Sequence, residues 1–136
     1  MAKRLTATVL TLAMVLALAA YASAAVCDKK IRLAATAAGQ AINADGNARV
    51  RSRPRGLATR QGFTVEVTAA VANGTTFTVF ANGQPAGTMT IAFGRGVLDL
   101  SNAGGTVLPA GVDPVCSIGS VVVADGAGTI LLTGSF

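Results

Sequence analysis

Four arginines at alternate positions, Arg49, Arg51, Arg53 and Arg55, with Arg60 shortly beyond them, are the residues of this sequence whose type and spacing point to chemistry. In an extended chain, residues two apart share a face at intervals of about 6.5 to 7 Å, so the four guanidinium groups would form a linear cationic comb. Guanidinium forks match phosphate and carboxylate oxygens two at a time. The comb is therefore a candidate site for a polyanion such as acidic polysaccharide, lipopolysaccharide phosphate or extracellular nucleic acid. It contains no aromatic side chain on which a base would stack, which disfavours sequence-specific nucleic-acid recognition. A purely structural reading takes precedence on sequence grounds. In it the arginines and Pro54 protect the edge of a sheet from other chains, and the arginines pair Glu66 or Asp99 across strands.

Few other groups offer chemistry. The chain has no His and no Trp, so Ser-His-Asp and Cys-His arrangements and the usual His-based zinc and copper sites have no raw material. Asp28, Asp45, Glu66, Asp99, Asp113 and Asp125 are left as candidates for paired-carboxylate glycoside hydrolysis. Asp45 and Asp125, however, precede glycines as turn residues, and Glu66 and Asp99 fall in the polar phase of strands. Asp-x-Asp calcium loops are absent, and the Gly-Arg-Gly run at 94–96 lacks the spacing of a phosphate-cradling loop. The expectation is a non-enzymatic protein with no metal and no cofactor.

What must position the comb is read from the rest of the chain. Lys3 and Arg4 precede an uncharged run from Leu5 to Ala20, and Tyr21-Ala22-Ser23-Ala24-Ala25 supplies the small residues of a cleavage site. About 16 apolar residues fall short of the roughly 20 that span a bilayer. Residues 1–25 therefore read as a signal peptide and 26–136 as a single domain, periplasmic or extracellular, with no stable membrane span in the mature chain. The full chain carries a formal +5, and from Val26 onward nine Lys and Arg against six acids leave +3. The two cysteines, Cys27 and Cys116, read as a disulfide in an exported chain. Closing a loop of about 90 residues, it would stabilise the fold by roughly 4 to 5 kcal/mol.

The mature chain reads as a meander of about eight short strands. The alternation Phe63-Thr64-Val65-Glu66-Val67 is that of a half-buried strand, and Asn82-Gly83 is the strongest hairpin signal, because both central positions of a type I′ turn need positive φ. Strands are expected at 29–36, 47–53, 62–68, 75–81, 87–93 and 97–100, then at 118–124 and 129–136 around Asp125-Gly126. The run from Ala37 to Gly46 reads as a loop ending in an Asp45-Gly46 turn, and 101–114 as a Gly- and Pro-bearing loop. An all-β fold follows, with a single small antiparallel β-sandwich preferred over a closed barrel.

The ordered motifs Gly46-Asn47-Ala48-Arg49, Phe63-Thr64-Val65-Glu66-Val67, Val79-Phe80-Ala81-Asn82-Gly83, Leu98-Asp99-Leu100 and Gly128-Thr129-Ile130-Leu131-Leu132-Thr133-Gly134-Ser135-Phe136 resemble a group of small secreted bacterial β proteins, largely uncharacterised. The resemblance implies an exported β domain and carries no catalytic residues. By elimination the sequence points to a secreted structural or interaction module of the cell-surface or matrix type. Its partner would be a protein, a polysaccharide, a polyanion meeting the arginine comb, or a second copy of the chain.

Overall fold

A computed structural model describes residues 26–136; the segment read as a signal peptide lies outside the described residues. Eight strands follow in chain order: β1 (Cys27–Ala35), β2 (Asp45–Arg55), β3 (Ala58–Thr68), β4 (Thr76–Ala81), β5 (Gln84–Thr90), β6 (Arg95–Ser101), β7 (Ser120–Ala124) and β8 (Ile130–Ser135). One short helix, α1 (Ala37–Ala41), interrupts them. All pairings are antiparallel, and the strands form one sheet in the order β5-β4-β7-β8-β1-β2-β3-β6.

The expected two-sheet sandwich is replaced by this single, nearly closed, barrel-like sheet. The physical reason lies in β1. From Cys27 to Leu33 it pairs with β2, and at Ala34 and Ala35 it passes to β8, so one strand belongs to both halves. The two outer strands, β5 and β6, approach through side chains, with Leu98 lying over Gly87 and with Met89 and Ile91 lying over Gly96.

Alternation fixes which side of each strand faces in. In β3, Phe63, Val65 and Val67 are buried while Thr64 and Glu66 point outward. Phe63, Phe77, Ile91 and Leu132 are the largest side chains removed from water, each contributing roughly 1.5 to 3 kcal/mol by area. The long connection between β6 and β7, read as a loop, forms three short 3-10 turns, and it buries Leu108, Val112, Val115 and Ile118 in the core. Cys116, in the last of these turns, is bonded to Cys27 at the start of β1.

Two local expectations are corrected. The stretch before β2 contains α1, started by Thr36, whose hydroxyl accepts from the Gly39 N–H. Asp45-Gly46 makes no turn but opens β2. A Cβ on Gly46 would meet the Glu66 carbonyl oxygen at 2.8 Å, so its missing side chain serves close strand packing instead. By contrast Asn82 and Gly83 have φ of 50° and 75°, as the hairpin signal requires.

Candidate functional site

The comb is built as its spacing predicts. Ala48, Val50 and Ser52 of β2 face the core, so Arg49, Arg51, Arg53 and Arg55 share the outer surface. Arg60 on β3 stands directly opposite Arg53. Gly62 is opposite Arg51 on one side and Ser101 of β6 on the other, and its lack of a side chain leaves a shallow floor. The result is an open groove of about 700 Å³ bounded by the comb, Arg60, Thr64 and Asp99.

The expected edge-protecting role fits only part of the comb. Arg49 and Arg51 lie where β2 is paired on both sides, with β1 and with β3. The pairing with β1 ends at Ser52 and that of β3 with β6 ends at Gly62, so Arg53–Arg55 and Ala58–Arg60 are paired only with each other. This two-stranded arm extends past its neighbours by three residue pairs, about 10 Å. Pro54 falls in the arm, where β2 has no second ladder to interrupt. The arm turns through Gly56 and Leu57, and Gly56 has φ of 63°, suited to the first central position of a type II′ hairpin.

The expected cross-strand partners of the arginines are also corrected. Glu66 accepts from Arg95 at 3.0 Å and Asp99 accepts from the Thr64 hydroxyl, so neither meets the comb. The counter-ion is Asp28 of β1, across from Arg51 in the ladder. Its two oxygens accept from Arg49 Nε and Nη2, both at 3.0 Å, and from Arg53 Nη2 at 3.2 Å, with Arg51 Nε at 3.8 Å. These hydrogen bonds, that of Arg49 first, hold the Asp28 carboxyl below its ordinary range, and Asp28 in turn raises Arg49. One carboxylate thus answers three guanidinium groups. Among the described residues Arg55 and Arg60 make no ion pair.

The remaining carboxylates are occupied singly. Arg32 makes a fork with Asp45 and lowers its pKa, Gln61 donates to Asp113, and Asp125 accepts from the Ala127 and Thr129 N–H groups of its own turn. Among the described residues no group of three His, Cys, Asp or Glu side chains is arranged to hold a metal ion.

Charge divides the molecule in two. The outer face of β1, β2, β3 and β6 carries Lys30, Arg32, Arg49, Arg51, Arg53, Arg55, Arg60 and Arg95, eight of the nine cationic residues described, against Asp28, Asp45, Glu66 and Asp99, a local +4. The strands β4, β5, β7 and β8 contain no charged residue. Sequence reasoning found the comb through its alternation. Asp28 is invisible to that pattern, because the register of β1 against β2 is a long-range property, and so is the arm, since the expected strands stop at Arg53 and resume at Gly62.

Fold and site define a nearly closed antiparallel β-sheet with one cationic outer face. No family model matches the chain, and no curated protein or solved structure is significantly similar to it. The likeness to small secreted β proteins therefore rests on the order of its turn and strand motifs alone.

Proposed function

We propose that the protein is a secreted interaction module whose cationic face binds polyanions. The observation that carries this reading is the direct juxtaposition of Arg53 and Arg60, flanked by Arg55 and Arg51, with Asp28 the one carboxylate among the described residues that pairs with any of them. Like charges placed opposite one another across strands oppose the fold unless an anion joins them. An anionic polymer lying along β2 would meet guanidinium groups at intervals of about 6.5 to 7 Å over an open, Gly-floored groove. The disulfide supports an oxidising compartment. No helix among the described residues is long and apolar enough to cross a membrane. Cleavage near Val26 and periplasmic or extracellular residence belong to the same proposal. The wider reading, a structural module of the cell surface or matrix, is contained in it if the polyanion is a surface polymer.

The test is retention on a heparin-type resin. Changing Arg49, Arg51, Arg53 and Arg55 together to Gln is expected to abolish salt-sensitive retention while leaving the β-sheet circular dichroism intact. Equal retention of a folded quadruple variant would refute the proposal.

A further inference from the structure

The arm formed by residues 53–60 has one feature that a soluble polymer does not explain. Leu57, at its tip, is fully exposed. A Cβ built on the adjacent Gly56 meets nothing within 4 Å, so the tip stands clear of the rest of the molecule. Behind it on the outer side of the arm stand Arg53, Arg55 and Arg60, set in the register Arg53 to Arg60 and Arg55 to Ala58. The base of the arm is firmly held. The Asn102 side chain donates to the Thr59 carbonyl at 2.8 Å and accepts from the Gln61 N–H at 2.8 Å, and the Gln61 side chain accepts from the Val115 N–H at 2.9 Å.

A rigidly based ribbon with an apolar tip and a cationic collar has the amphipathic order of a bilayer interface, apolar outermost and cations one layer back at phosphate depth. Resting on the polyanion reading, we infer that the partner of this end is an anionic membrane surface, with Leu57 seated among the acyl chains and Arg53, Arg55 and Arg60 on lipid phosphates. Charge complementarity names the lipid class, because each cation held near an anionic surface strengthens binding by roughly fivefold. Seating one leucine adds about another tenfold. The arm thus confers reversible attachment without a membrane-spanning segment. Nucleic acid fits the same arm less well: its outer side has no aromatic face on which a base would stack, and a phosphate backbone gives the exposed Leu57 no apolar partner.

The test uses the chain from Val26, which contains the whole sheet, the buried core and the disulfide. Sedimentation with phosphatidylglycerol vesicles should retain it, and phosphatidylcholine vesicles should not. Leu57→Ser should weaken vesicle binding about tenfold and leave heparin retention unchanged. The chain has no tryptophan, so Leu57→Trp places a single indole reporter at the tip. Its emission should shift to the blue on phosphatidylglycerol vesicles and be quenched by brominated acyl chains.

If Leu57→Ser binds phosphatidylglycerol as tightly as the parent, or the Leu57→Trp emission stays that of an indole in water, membrane seating is overturned while heparin retention preserves the polyanion reading. Failure of the parent chain to bind either heparin or anionic vesicles overturns both. Tight binding to duplex nucleic acid without vesicle binding likewise overturns the membrane assignment.

Discussion

Asp28 is the internal competitor of any anion that approaches the comb, and removing its charge separates a binding face from a merely decorated one. In Asp28→Asn the side-chain volume is kept, the bidentate contact with Arg49 and the contact with Arg53 lose their charge, and the outer face rises from +4 to +5. For a single-stranded polyanion each phosphate neutralised contributes roughly 0.7 to the slope of log affinity against log salt. Freeing Arg49 and Arg53 should therefore steepen that slope by about 1.4. Fluorescence anisotropy of a labelled oligothymidylate at four or five salt concentrations measures it. Exposed ion pairs contribute little to folding, so thermal unfolding should barely move. Acid should act in the same direction on the parent protein. Asp28 is held below its ordinary 3.8, so its favourable contribution to the fold is fully present above that value and is lost only as the pH falls through the depressed one. In that window retention on a sulfated resin, whose sulfates stay ionised, should strengthen. An unchanged or shallower slope for folded Asp28→Asn would show that the arginines exist to hold Asp28, and the polyanion reading would fail.

Other outcomes follow from the same structure. Gly62→Val is expected to stabilise β3 by roughly 0.5 to 1 kcal/mol, since a Cβ there has ordinary space, and at the same time to reduce heparin retention by filling the groove floor; urea titration and resin elution report the two effects. Reduction of the Cys27–Cys116 bond, which spans 89 residues, should lower stability by about 4 to 5 kcal/mol in denaturant titrations with and without dithiothreitol. Ser52 is buried at 1% exposure and its hydroxyl has no hydrogen-bond partner among the described residues, so Ser52→Ala should raise stability by about 1 kcal/mol in the same titration. Leu132→Ala, at a fully buried position, should cost about 2 to 5 kcal/mol.

Much of the fold was legible because period-2 alternation is a local property. The inward phase of Phe63, Val65 and Val67, the Asn82-Gly83 hairpin and the cysteine pair could each be read from neighbours or from parity. The last hairpin departs from clean alternation: Val121 and Val123 are buried and Val122 is half-buried, while Leu131 and Leu132 are both buried and Ile130 is exposed, because a bulge between Val123 and Ala124 shifts the register of β8. What escaped depends on contacts between distant parts of the chain. The single sheet exists because β1 changes partner within two residues, and no local pattern announces that. The comb was visible, but whether it lay at an edge depended on where β1 and β6 stop, which is a matter of relative strand length.

The disulfide also sets a path for mechanical load. A pull applied to the chain at Val26 reaches Cys27 and is divided at once between β1 and, through Cys116, the segment that buries Val112, Val115 and Ile118 in the core. Phe136, at the end of the chain, lies against the same segment, its N–H donating to the Gly119 carbonyl at 3.0 Å. Tension between residues 26 and 136 can therefore run along the short bridged route from Cys27 to Cys116 and Gly119, and the rest of the sheet, with the arm and its arginines, hangs outside it. Load applied between these two positions would thus leave the arginine-bearing face of β2 and β3 in shape.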